Sequence, residues 1–225
     1  MQPMYRTLLL AVTLLCLSTS CSVPGITPQT DIPPSLVQQS QAVAQDVQDA
    51  HLRVEVKLSN TLLKDKQVLE IWYVRPDSIR LEILESTHSG FRDIVAASQG
   101  NTGWAYRHAT RQVDTGPIDN VKPAIIYDIV RSTLSLLWET HPDRIDTIST
   151  DYVNGKWTFK LTGPRDTDPC TLWLQQDTFL PLKVQCESTR LGQYTVIINE
   201  AEYNIGLTDN LFDLTLLPGE SYTVR

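Results

Sequence analysis

Four cysteines are the side chains best suited to covalent chemistry in this chain, and they fall into two groups. Cys16 and Cys21 lie within and just after an apolar N-terminal run, while Cys170 and Cys186 flank a hairpin pattern around Gln176-Asp177-Thr178-Phe179-Leu180. If Leu174 faces Leu182, antiparallel pairing sets Leu172 opposite Val184 and Cys170 opposite Cys186, all on one apolar face. Directly opposed residues in such a pair sit about 4.5–5.5 Å apart at Cα. That spacing is compatible with a disulfide, and an even cysteine pair in an exported chain favours one. Two buried free thiols are the alternative. A metal site is disfavoured, since no histidine lies near either cysteine in sequence. Other reactive patterns are missing: there is no Gly-rich phosphate loop, HExxH, GxSxG or CxxC. His51, His88, His108 and His141 lack the spacing of metal ligands. His88-Ser89 beside Asp93 falls in a predicted turn and reads as solvated, as do the carboxylates at 82, 85, 200 and 202. The expectation is no catalytic residue, no metal, no cofactor and no enzymatic activity.

Cys21 has a different context. Arg6 precedes the apolar run Leu8–Leu17, then come Ser18-Thr19-Ser20 and Cys21. This is the order of an export signal: positive start, apolar middle, small-residue cleavage site. The run is shorter than the roughly 20 residues of a membrane span. A cysteine directly after small residues resembles a bacterial lipobox, although Ser18 stands where that motif usually has Leu. The resemblance implies that Cys21 is lipidated and becomes the mature N-terminus. Ordinary secretion with cleavage near Ser20 is the alternative. The expected division is a signal peptide over 1–20, a tether over 21–34, and one domain over 35–225. Proline and glycine between Val23 and Pro34 give the tether no core of its own.

Roughly 205 residues then remain, the size of one domain. Losing Arg6 with the signal leaves 18 basic against 26 acidic residues, a formal charge of −8. No basic cluster is visible, which argues against nucleic acid and against electrostatic docking to anionic lipid. Membrane attachment therefore falls to the anchor at Cys21. A monomer is expected.

The elements that position these residues follow from periodicity. Ser35 with Gln38 suggests a capping box, and Leu36, Ser40, Val43, Val47 and Ala50 make one stripe of a helix over about 36–50. Leu52–Ser59 alternates without a miss, as a half-buried antiparallel strand does. Lys64-Asp65-Lys66 is expected as a turn. Strands follow over 68–74, with Leu69, Ile71 and Tyr73 on one face, and over 78–84, with Ile79, Leu81 and Ile83 inward. Further strands are predicted over 91–98, 103–108, 112–114, 144–153, 156–161, 170–175, 181–187 and 194–203. Asn154-Gly155 is a hairpin signal. Between the two strand series, residues 123–139 carry Ile125, Ile126, Ile129, Val130, Leu134, Leu136, Leu137 and Trp138 at helical spacing. A helix apolar nearly all round must be covered on most sides. The tail, Asp209–Leu214, returns apolar residues to the body. At least nine strands form one antiparallel sheet with that helix against one face. The space between is either a filled core or a small-molecule cavity.

This order of elements resembles the LolA/LolB-like periplasmic lipoprotein-localisation superfamily, which also takes in RseB and the LprG/LppX-type lipid carriers. Local phrases carry the likeness: Gly103-Trp104-Ala105-Tyr106, Thr171-Leu172-Trp173-Leu174 leading to Leu180-Pro181-Leu182-Lys183, and Asp209–Leu214 before Pro218-Gly219. The resemblance spans about residues 36–220. It implies a mainly β fold with an N-terminal helix: an incomplete antiparallel β-barrel, or half-barrel, of about eleven strands covered by a helical lid. It further implies an apolar cavity for the acyl chains of lipoproteins, phospholipid or glycolipid. On this chain the lid is 123–139, with Ile126, Ile129, Val130 and Leu137 facing the cavity. Leu69, Ile71, Tyr73, Ile79, Leu81 and Ile83 line the sheet side. Each of these ten is also a plausible plain core residue. LolA is unlipidated, so an anchor at Cys21 points to an acceptor at one membrane rather than a shuttle. The Cys170–Cys186 pair lies outside the family pattern. LolB presents an apolar loop residue to the membrane; Phe179-Leu180 offers the same, or else tucks under the lid. The function implied is acyl-chain binding by an envelope lipoprotein for lipoprotein sorting or lipid transfer. The membrane face, outer or inner, stays open. The alternatives are an RseB-like sensor that contacts an envelope-stress partner and a structural lipoprotein with a filled core.

Overall fold

The structure, a computed structural model, describes residues 35–59, 64–121, 130, 145–165, 168–188, 192–214 and 223–224. A single helix, α1 (Leu36–Asp46), precedes a long meander. Its first half is β1 (Asp49–Ser59), β2 (Lys64–Val74), β3 (Ser78–Ser86), β4 (Ile94–Gln99), β5 (Thr102–Arg107) and β6 (Gln112–Pro117). Its second half is β7 (Thr147–Val153), β8 (Lys156–Arg165), β9 (Asp168–Gln175), β10 (Pro181–Ser188) and β11 (Gly192–Tyr203). A two-residue strand, β12 (Thr223–Val224), ends the series.

These strands form one sheet in the order β12-β6-β5-β4-β3-β2-β1-β11-β10-β9-β8-β7. β11 returns to pair with β1, so the halves are joined at the centre rather than at the ends. Eleven strands pair antiparallel, and only β12 lies parallel to its neighbour β6. β7 and β12 do not pair with each other, so the sheet is not closed. This is the incomplete antiparallel β-barrel that the resemblance implies.

Strict alternation explains why one face of this sheet is buried. Leu52, Val54, Val56 and Leu58 of β1 point to a single face, with Arg53, Glu55 and Lys57 on the other. The inner face is defined by the large buried cluster that includes these residues and extends, in sheet order, from β5 to β8. Leu36 and Val47 belong to the same cluster, which sets α1 and the turn after it against the inner face. So does Val130, which is helical and buried, in the middle of the lid expected from sequence. Ile126, Ile129, Leu137 and the rest of that lid lie outside the described residues, as do Cys21, the signal and the tether.

Several boundaries differ from the sequence reading. α1 stops at Asp46 because Asp49 already enters β1. Its buried positions are Leu36, Ser40 and Ala44, so Ala44 rather than Val43 faces the core. Ser35 accepts from Gln39 Nε2 at 3.0 Å, and its side chain caps no backbone N–H, so the capping box does not form. Lys64-Asp65-Lys66 is the start of β2, not a turn, because pairing with Ser59, Leu58 and Lys57 extends the β1–β2 ladder to its end.

A second buried cluster lies on the outer face. Val95, Ala97, Trp104, Tyr106 and Val113 form it, closed by Phe212 with Leu211 and Leu214 beside it. Trp104 Nε1 donates to the Phe212 carbonyl at 2.8 Å, and an Arg80 guanidinium nitrogen donates to the Leu211 carbonyl at 3.0 Å. The Arg80 guanidinium carbon also lies 5.7 Å from the Trp72 ring centre and 5.8 Å from that of Trp104, within cation–π range. The expected return of the Asp209–Leu214 tail is thereby met.

Candidate functional site

Cross-strand pairing turns the inner face into rows. One runs Ile148–Leu161–Leu172–Val184–Val196–Val56, one residue from each of β7, β8, β9, β10, β11 and β1. Leu161, Leu172, Val184, Val196 and Val56 are buried and Ile148 is partly so. At a strand spacing of 4.7–4.9 Å, the step from Ile148 to Val56 covers about 24 Å of sheet. A second set of rows, on β1, β2 and β3, joins Leu52 to Ile71 and Leu81, and Val54 to Leu69 and Ile83. Tyr73 and Ile79 extend it. Thus Leu69, Ile71, Tyr73, Ile79, Leu81 and Ile83 share one face, as parity predicts, and all are buried in the inner-face cluster with Val130.

The cysteine pair belongs to the same wall. Cys170 and Cys186 are bonded across β9 and β10, with a Cα separation of 4.2 Å. Both sulfurs are on the inner face, next to Tyr194 and then Leu58 in their row. The predicted register holds for Leu172–Val184 and Cys170–Cys186 but not for Leu174, which faces Pro181. An irregularity between Pro181 and Lys183 takes Leu182 out of the ladder, consistent with proline having no N–H to donate there. At the hairpin tip, Phe179 adopts φ 57° and stacks its ring on Phe159 at 6.1 Å between centroids. The tip therefore packs onto the inner-face core and is not displayed outward.

Polar chemistry enters this face where the apolar row meets β2. Val56 pairs with Gln67, and Gln67 with Ser86 of β3; in the next row Leu58 pairs with Asp65. Asp65 is 4% exposed and Gln67 is fully buried. The Asp65 carboxylate accepts from Gln67 Nε2 at 2.5 Å, from the His88 backbone N–H at 3.2 Å and from the Thr87 hydroxyl. Burial pushes the Asp65 pKa up. The hydrogen bonds from Thr87, Gln67 and the backbone of His88 and Lys66 outweigh that and hold it below the usual carboxylate value. The sequence predicts a turn at Lys64-Asp65-Lys66, where the structure has a buried, hydrogen-bonded carboxylate on β2.

Elsewhere the reactive residue types are not assembled. His88 Nδ1 accepts from the Gly90 backbone N–H at 3.2 Å, so the His88-Ser89 pair is a turn feature, without contact to Asp93. His51 sits on the outer face between Glu70 and Glu202, 3.4 Å from each, with its ring stacked on Trp72. Where β3 and β4 separate beyond the Glu82–Val95 pair, a cleft of about 420 Å³ opens, lined by Glu82, Ile83, Leu84, Asp93, Val95 and His108. Among the described residues no group of three or more His, Cys, Asp or Glu is placed to hold a metal ion. Nor is any described helix long and apolar enough to cross a membrane.

No protein-family model and no curated protein matches the chain. Its fold does match solved structures. An uncharacterized conserved protein from Thermus thermophilus superposes with a TM-score of 0.54 at 10% identity, covering 85% of this chain and 98% of that one. At that identity the match shows the fold alone. Lipoprotein LppX of Mycobacterium tuberculosis follows at 0.49 and 15% identity, over 79% of this chain and 99% of its own. LprF of Mycobacterium bovis follows at 0.48 and 13%, over 80% and 97%. These two are likenesses at a level that bears no further weight.

Proposed function

We propose that this chain is an exported, lipid-anchored envelope protein that binds acyl chains on the inner face of its sheet, for lipoprotein sorting or lipid transfer. The observation that carries this reading is the apolar row from Ile148 to Val56, set in an open sheet whose buried face also holds, among the described residues, Leu36 of α1 and the helical Val130. A flexible hydrocarbon chain suits such a track, since its affinity comes from burial, about 0.8 kcal/mol per methylene. Leu161, Leu172, Val184, Val196 and Val56 line the track of the bound chain, Leu69, Ile71, Tyr73, Ile79, Leu81 and Ile83 continue the sheet-side wall over β2 and β3, and Ile126, Ile129, Val130 and Leu137 are its contacts on the lid. Cys21 supplies the anchor, and an acceptor fixed at one membrane is the corresponding role.

Native mass spectrometry of residues 35–225, purified from an exporting host without detergent, tests this. A copurifying lipid mass that organic extraction removes is the expected result. A protein that stays apo with added phospholipid, glycolipid and lipopeptide would instead be a structural lipoprotein with a filled core.

A further inference from the structure

The inner-face row that is apolar from β7 to β1 ends on an amide. Val56 is followed across the ladder by Gln67 and then by Ser86. Gln67 is fully buried, and its Oε1 has no hydrogen-bond partner among the described residues. The orientation of the amide is not arbitrary. Asp65, held ionised by its donors, can only accept, so the Gln67 nitrogen must face it. The carbonyl oxygen is thereby left turned away from Asp65, with no donor to accept from among the described residues. A buried acceptor without a partner is costly and rare in folded proteins. Here it stands in the wall of the proposed acyl site, at the end of its longest apolar row.

Resting on the acyl-binding reading above, we infer that Gln67 Oε1 is the acceptor for one N–H or O–H donor in the linkage joining the bound acyl chain to its head group. The hydrocarbon lies along Val56, Val196, Val184, Leu172 and Leu161, and the linkage comes to rest at β2. Asp65 acts as a positioning residue. It fixes the Gln67 amide so that the oxygen, not the nitrogen, is presented. The ligand class narrows accordingly: an amide-linked acyl chain or an acylated glycerol with a free hydroxyl fits, and a plain ester without a donor does not. A site built around a hydrogen bond discriminates against an analogue that cannot make it, because the buried group is then left unpaired.

The test compares three probes with the same hydrocarbon: N-methylpalmitamide, monopalmitoylglycerol and methyl palmitate. Each displaces a fluorescent fatty acid from the full mature chain, residues 21–225, produced without acylation. The expected result is that one or both donor-bearing probes bind about tenfold tighter than methyl palmitate, the scale of one buried hydrogen bond. Preference for the amide assigns the donor to N-acyl linkages, and preference for the glyceride assigns it to glyceryl hydroxyls. In Gln67→Met the preference collapses to near unity. Equal affinities in the unmutated protein overturn the inference, whatever the fate of the variant, and leave acyl binding standing. A preference that survives in Gln67→Met also overturns it. No displacement by any probe removes both the inference and the acyl-binding reading.

Discussion

Asp65 shows how much one side chain can contribute when its surroundings are arranged around it. A carboxylate at 4% exposure would ordinarily be driven toward its neutral form. Donors from Gln67, Thr87 and the His88 backbone reverse that tendency. Because the folded-state pKa lies below the unfolded value, the carboxylate stabilises the fold above about pH 4, the unfolded aspartate range. The contribution is lost as pH falls through the lower, folded value. Asp65→Asn should therefore cost on the order of 1–3 kcal/mol at pH 7. Urea titrations of both proteins at pH 7 and pH 3 check this: the gap between them should narrow at the lower pH. A gap that stays constant or widens would mean that Asp65 is not held ionised by its donors.

At the scale of elements, the β9–β10 hairpin and the C-terminal segment make two separate claims. The Cys170–Cys186 bond closes a short loop whose two strands are already paired in register. Its main effect is therefore on the unfolded chain, roughly 3 kcal/mol for a loop of this size. Cys170→Ser with Cys186→Ser should lower Tm by about 6–12 °C, at 2–4 °C per kcal/mol for a chain of this length. Calorimetry of the double variant, against the oxidised protein, reads that shift directly. The segment around Phe212 closes the outer face of β3–β6, and Trp104 is bound to it through the Phe212 carbonyl. Phe212→Ala should destabilise by about 3–5 kcal/mol. It should also move part of the tryptophan emission to longer wavelength as Trp104 gains solvent. An unchanged spectrum would mean that the segment stays docked through its backbone alone.

Among the described residues the strands form one open sheet whose two halves meet at β1 and β11. Because β11 comes last among the long strands, the inner-face rows that cross the centre exist only once the chain has been read almost to its end. The chain carries a formal charge of −7, and like charge repels it from anionic surfaces at long range. In the proposed acyl site, burial supplies the affinity and a directional group, Gln67, refines it.

Much of this was legible in the amino-acid order because the cues are local. Alternation marked nearly every strand, and face parity alone grouped Leu69, Ile71 and Tyr73 with Ile79, Leu81 and Ile83. Register arithmetic across a short hairpin brought Cys170 to Cys186, since a one-residue slip would send one cysteine to the other face. The same arithmetic missed the displaced Leu182, because proline in a strand disturbs the ladder in a way that counting does not register. Only the tertiary structure decided what Lys64-Asp65-Lys66 is. Three charged residues read as a turn, but the opposite strand carries the ladder through them, and Thr87 and His88 arrive from beyond β3 to satisfy the carboxylate. Gln67, an unremarked residue between Lys66 and Val68, is buried for the same reason. Its partners Val56, Asp65 and Ser86 are near in sequence, but the apolar row it ends is built from strands far away in the chain. Local pattern sets which residues face inward; which of them meet is settled by pairings between distant strands.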